Sequence, residues 1–290
     1  MSAELIHPTG RVVAAVDLSS YADSVADFAA WAAARLGSPL ELLHVQDRQH
    51  DAAARDLSGS LSLGARETLL AELASLDERR AVIAQQQGRA LLDALRERAA
   101  GHGVDATLRH LHGGLVESLL DLEAGTRLFV IGKRGEHADF AAGHLGSNLE
   151  RVVRAVHRPV LVASRAFRPV ARFMIAFDGS ATTRRCVEMV CASPLLKGLD
   201  CHVLMVGAPD DAQQAHLQWA QTTLRDAGFD AQLHAAQGSA DTVIAAQADA
   251  LAIDLLVMGA YGHSRIRAMI VGSTTTQVLR HCPIPVLLLR

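Results

Sequence analysis

The chain has 290 residues, half of them hydrophobic, with 28 Lys plus Arg set against 31 Asp plus Glu and a formal charge of −3. That length suits two domains of roughly 100–200 residues with full cores, and excludes both disorder and a disulfide-stapled miniprotein. The near-neutral balance and only 4% aromatic residues supply neither the basic footprint nor the stacking platforms of a nucleic-acid binder.

In chain order, the first apolar run is 11–17, Arg-Val-Val-Ala-Ala-Val-Asp, and the second is 40–45, Leu-Glu-Leu-Leu-His-Val. A polar stretch from Gln46 to Ser62 follows. Leu69, Leu73, Leu76, Ile83 and Leu91 then mark a long helix rich in Ala, Glu, Arg and Gln, which Gly88 could weaken or bend. His110-Leu111-His112 reads as a strand with both imidazoles on one face. Apolar runs return at 128–135 and 157–162, and Arg-Ala-Phe-Arg-Pro-Val-Ala at 165–171 separates two halves. Beyond it, strands fit 172–178, 201–206, 230–236, 254–259 and 285–289, with helices at 181–192, 211–227, 239–251 and 272–281.

The halves repeat one another. Asp17 and Asp178 end matching runs, as do Val45 and Val206, both at an offset of 161 residues. Later matches, 128–135 with 255–262 and 157–162 with 283–288, fall at offsets of 127 and 126. The drop places about 34 extra residues in the first copy. The expected domains are therefore 1–166, with a helical insertion at about 47–100, and 170–290. Strands apolar on both faces, alternating with helices, imply parallel sheets covered on both sides, and so an α/β chain of two tandem doubly wound, Rossmann-like domains. Ligands then belong at the carboxyl ends of the strands.

Val257-Met258-Gly259-Ala260-Tyr261-Gly262, nine residues, and Gly272-Ser273-Thr274 occupy that end in the second copy. Glycines permit close approach of a ligand to backbone, and a helix start offers free amides to phosphate. The same glycines could instead only make a turn and cap a helix. Neither G-x-x-x-x-G-K-[ST] nor an early G-x-G-x-x-G occurs, so a Walker loop and dinucleotide hydride chemistry lack support.

A first strand ending in Asp-Gly-Ser, a fourth ending in Met-Gly, G-x2-G-x9-G-[ST] and a closing Pro-Val-Leu strand together resemble the universal stress protein family, in tandem form. The resemblance implies five strands in the order 3-2-1-4-5 and an adenine nucleotide, ATP above others; a Mg ion could arrive with its phosphates, since Mg²⁺ is commonly held largely by phosphate and water. It also implies pairing of the last strands of two domains, normally in a dimer; in one chain, 159–164 and 285–289 could pair as an intramolecular pseudo-dimer, and a homodimer of such chains is left open. Carried over by position, Asp178 would meet the adenine amino edge, though it could equally be a turn or N-cap residue. Val206 would help fix the base, and Met258 and Gly259 would line base and ribose. Gly262, Gly272, Ser273 and Thr274 would hold the phosphates. His263, Ser264 and Arg265 sit inside the loop as further donors, or as an exposed polar face.

The first copy departs from this pattern. Asp17, Val45, Ile131, Gly132, Gly135, Gly146 and Ser147 match, but ten residues separate Gly135 from Gly146, Asn148 replaces Thr274, and Arg127 stands for Asp254. Lys133 and Arg134 would bring positive charge to that site, or simply face solvent. The second domain is thus the principal expected site. No Cys or carboxylate completes a metal set with the histidines, and Cys186, Cys191, Cys201 and Cys282 match no zinc or redox spacing. No catalytic base is recognisable beside the phosphates, which leaves slow ATP hydrolysis as the enzymatic alternative. No signal-like start and no run of about 18 apolar residues appear, so a cytoplasmic protein without membrane or nucleic-acid partners is expected. A sensing module with an unidentified protein partner is the leading reading. A nucleotide-independent scaffold, recruiting a protein or apolar ligand through the long helix, is the other.

Overall fold

The computed structural model describes residues 7–46, 63–135, 147–208, 210–260 and 273–289. The first half runs β1 (Arg11–Val16), α1 (Ala22–Leu36), β2 (Leu40–Gln46), α2 (Leu63–Gly101), β3 (Ala106–His112), α3 (Leu115–Leu122), β4 (Thr126–Gly132), α4 (Ser147–Ala155) and β5 (Val160–Ala163). The second runs β6 (Arg172–Ala176), α5 (Ala181–Ala192), β7 (Asp200–Val206), α6 (Asp211–Asp226), β8 (Ala231–Ala236), α7 (Ala240–Ala250), β9 (Leu255–Gly259), α8 (Ser273–His281) and β10 (Val286–Leu289).

The ten strands of the described residues form one sheet, ordered β3-β2-β1-β4-β5-β10-β9-β6-β7-β8. Pairing within each half is parallel, in the order 3-2-1-4-5. The halves meet through β5 and β10, the one antiparallel pair of the described strands, with Val286 opposite Val162 and Leu288 opposite Val160. Each final strand thus covers the edge the other would expose.

Side-chain alternation along the strands divides the interior into two cores. Val12, Ala14 and Val16 of β1 belong to the core that also holds residues of α1, α2, α5 and α6, whereas Val13 belongs to the core that holds Leu149, Val152, Ile244 and Val278 of α4, α7 and α8. Both cores run through both halves. Helix α1 lies close on the sheet because Ala26, Ala29, Ala30 and Ala33 form its buried stripe. It ends at Gly37, whose φ of +59° suits glycine, with Ser38 N–H donating back to Ala33 O at 3.0 Å.

The departures between copies have local physical reasons. Asp254 accepts from the backbone N–H groups of Ala171 and Arg172, both at 2.9 Å, and so ties down the chain entering β6. Arg127, at the matching place, is buried and donates to Pro8 O at 2.9 Å and Leu36 O at 3.2 Å. Helix α2 runs unbroken through Gly88. A Cβ at Gly88 would stand 2.6 Å from the His44 ring and 2.9 Å from that of His110, so the glycine lets α2 settle onto both imidazoles. The expected polar stretch 47–62 lies outside the described residues.

Candidate functional site

In each half the chain leaves the first strand toward one side of the sheet and the fourth toward the other. The crevice between β1 and β4, and between β6 and β9, is therefore a topological switch point at the carboxyl ends of the strands. Asp17 and Asp178 lie just past β1 and β6, and Gly132 and Gly259 end β4 and β9.

Asp178 Oδ1 accepts from Ser180 N–H at 2.9 Å and from Thr183 Oγ1–H at 2.7 Å. Ser180 caps α5 by accepting from Thr183 N–H. One carboxylate oxygen therefore belongs to the turn that opens α5, as the turn reading of this residue required. The turn passes through Gly179 at φ +77°, and a Cβ there would collide with the His216 ring on α6. Arg184 donates to Gly179 O at 3.2 Å and lies over the Trp219 ring at 5.0 Å, which closes the corner behind Asp178. Beneath the turn, Cys186 is buried, and burial, then the charge of Asp178, pushes its thiol up to about 12. This thiol stays protonated at neutral pH.

Gly259 has a packing duty. A Cβ on it would lie 2.8 Å from Thr182 Cγ2 and 3.9 Å from Cys186 Sγ, so the missing side chain leaves room for the Thr182 methyl where the end of β9 meets the first turn of α5. From the other side of the crevice, Thr275 Oγ1 reaches Gly259 O at 3.5 Å, which sets the first turn of α8 beside the end of β9. Asp178, Gly259 and the start of α8 at Ser273 and Thr274 are thus gathered at one crevice. Val206 ends the neighbouring β7, half-buried, while the side chain of Met258 is 6% exposed and belongs to the core. Gly262, His263, Ser264, Arg265 and Gly272 lie outside the described residues.

The first domain repeats the arrangement with a different lining. Asp17 Oδ1 accepts from Ser19 N–H at 3.1 Å. A Cβ on Gly132 would lie 2.9 Å from Tyr21 Cβ, and one on Gly135 would lie 2.9 Å from Asp17 Oδ2. Asp17, Gly132 and Gly135 therefore converge, with half-buried Val45 at the end of β2, buried Ile131 within β4 and Asn148 exposed on α4. Gly146 lies outside the described residues, and Ser147 opens α4. Lys133 corrects the expectation of a positive charge for phosphate. It is buried, its ammonium donates to Cys282 O and to Ile284 O at 3.2 Å, and burial lowers its pKa. The residue is a strut across the seam between the halves.

Sequence reasoning missed Thr183, Thr275, His216 and Tyr21, which shape these crevices. Ser180-x-x-Thr183 carries a readable capping signal, whereas the other three act through contacts that only the fold creates. Among the described residues no group of three His, Cys, Asp or Glu is placed to hold a metal ion. No described helix is long and apolar enough to cross a membrane.

The pattern of the Universal stress protein family matches residues 8–164 and 206–290. The chain belongs to that family. Universal stress protein Slr1230 of Synechocystis sp. is 37% identical over 285 residues, covering 97% of this chain and 99% of that one. A solved universal stress protein from Archaeoglobus fulgidus covers 97% of this chain and 98% of its own at a TM-score of 0.68 and 19% identity, which shows a shared tandem fold. A universal stress protein solved in complex with cAMP matches 42% of this chain and 98% of its own, at a TM-score of 0.37 and 23% identity. As a member of the family, the chain has the two Rossmann-like domains that its repeated motifs implied.

Proposed function

We propose that this universal stress protein binds an adenine nucleotide, ATP, chiefly in the domain spanning 170–290, and acts as a cytoplasmic regulatory or sensing module rather than an enzyme. The observation that carries the reading is the gathering of Asp178, Gly259 and the amino end of α8 at one switch-point crevice. A carboxylate there accepts from an exocyclic amine, and the amides of a helix start donate to phosphate oxygens. The Asp178 turn is already ordered by Ser180 and Thr183, so little reorganisation is needed on binding. Met258 and Ile131 have buried side chains, so they offer main chain to a base or ribose. Gly262, His263, Arg265, Gly272, Ser273 and Thr274 would hold the phosphates, with Mg²⁺ carried largely by phosphate and water.

The first domain has Asp17, Gly132 and Gly135 in place, but Lys133 is spent on the seam, so its nucleotide site is the lesser one. The decisive experiment is chromatography and mass spectrometry of nucleotide released from the purified, denatured protein, beside ATP calorimetry on wild type, Asp178→Ala and Gly272→Val/Ser273→Ala. Adenine nucleotide in the wild type and loss of ATP heat in both variants are expected. Absence of nucleotide and of ATP heat in the wild type would overturn the reading in favour of a scaffold.

A further inference from the structure

Helix α2 is seated on the fold through its carboxyl-terminal part. Gly88, Leu92, Leu95 and Ala99 are buried against the sheet and α1, whereas no side chain from 72 to 87 is buried. The segment 72–87 therefore extends beyond its own domain's core, yet Leu76 is 48% exposed and Ile83 53% exposed. Leu69, Leu73, Leu76, Arg80 and Ile83 follow alternating spacings of four and three, the seam of a heptad repeat. That seam is turned about a quarter of the way round from the face buried at Gly88, by the ~100° rotation per residue of an α-helix. It has no counterpart on α6, which is 16 residues long.

We propose that this seam is an interface with a second copy of the chain, paired antiparallel so that Leu73 of each α2 faces the partner's Leu76. Three features favour that occupant and that direction. In this register the heptad positions of Leu69 and Arg66 fall opposite the partner's Arg80 and Ile83. Each arginine then meets an aliphatic residue and its charged head can reach water. A parallel pair in register would instead set Arg80 against Arg80 and Arg66 against Arg66. The flanking position of Glu72 falls beside the partner's Arg79, twice by symmetry, whereas parallel pairing would put Glu72 beside Asp77 of the same sign. Finally, position 63 comes opposite the partner's position 86, so the overlap of about 36 Å starts with α2 itself and stops where Gly88 seats α2 on its own sheet. A seam of little more than three heptads gives a small interface and a reversible dimer. It does not depend on nucleotide.

The test is sedimentation equilibrium on the full chain, with circular dichroism to verify folding. Wild type should reach dimer by about 100 µM, in the weak regime of such small interfaces. Leu76→Glu/Ile83→Glu, at exposed positions, should raise the dissociation constant at least about tenfold. Glu72→Arg should weaken the dimer by setting two positive charges side by side at the partner's Arg79, and Glu72→Arg/Arg79→Glu should restore it. A wild type that stays monomeric, or a dimer that survives the two glutamates, overturns the proposal. So does a stronger dimer in Glu72→Arg, which marks parallel pairing, or a double charge swap that fails to rescue.

Discussion

Gly132 closes β4 under the first turn of α1, and replacing it with alanine tests whether this glycine serves packing or a ligand. The added Cβ would stand 2.9 Å from Tyr21 Cβ, 3.2 Å from Tyr21 Cγ and 3.3 Å from Arg134 O. Carbon atoms rest in contact at about 3.5–4.0 Å, so the overlap with Tyr21 Cβ is at least about 0.6 Å. Tyr21 Cβ is fixed to the backbone, and no side-chain rotation withdraws it, so the start of α1 has to move. Overpacking of this kind costs about 1–3 kcal/mol, and the lost freedom of the unfolded chain returns about 0.4–1 kcal/mol. The net loss for Gly132→Ala is then up to about 2.6 kcal/mol and about 1.3 kcal/mol at the middle of both ranges, or roughly 3–5 °C in melting temperature for domains near this size. Gly259→Ala is the internal comparison. Its clash, 2.8 Å to Thr182 Cγ2, involves a methyl that rotation about χ1 can swing aside, so the cost should be smaller. Thr182→Ser removes that methyl and should erase the cost in the double variant. The assay is urea and thermal unfolding of nucleotide-free protein. Wild-type stability in Gly132→Ala, with loss of ATP binding alone, would refute the packing argument and make the glycine a ligand position.

Two further predictions concern buried charge. Asp27 on α1 is 4% exposed and accepts from Arg98 Nε at 2.7 Å and Nη2 at 2.8 Å, with His102 Nε2 at 3.0 Å. Arg98→Ala should destabilise the first domain by about 1–3 kcal/mol, less than a fully buried pair would cost because the Arg98 side chain is 43% exposed; a change under about 0.5 kcal/mol in urea unfolding, the usual size of a surface substitution, would refute it. In the second half, His202 Nδ1 lies 3.0 Å from His234 Nε2, and burial, then the charge of His234, lowers the His202 pKa. A base with a depressed folded pKa takes up its proton more readily when unfolded, so stability is retained above the ordinary histidine pKa of about 6.5 and lost as pH falls below it. His110, lowered by burial and then by His44, works in the same direction. Urea midpoints should fall between about pH 7.5 and pH 5.5, less steeply in His202→Gln/His234→Gln; an unchanged slope in that variant would clear the pair of any part in it.

The sequence by itself determined the tandem repeat, the α/β class and the glycines, Gly132 and Gly259, that end the fourth strand of each half. Those features are written in local periodicity and in the order of motifs, which the chain states twice. The long helix was equally legible, because Leu69 to Leu91 recur at helical spacing. What only the tertiary structure decided is what each side chain meets. Lys133 was expected either to bring positive charge toward phosphate or to face solvent, yet antiparallel pairing of β5 with β10 brings it the carbonyls of Cys282 and Ile284, 149 and 151 residues away along the chain. Gly88 looked like a weak point until two strands carried His44 and His110 beneath it, and Gly132 gained its reason only when α1 set Tyr21 above it. Periodicity is a property of neighbours along the chain, whereas charge partners and steric gaps belong to neighbours in space, and the fold alone chooses those.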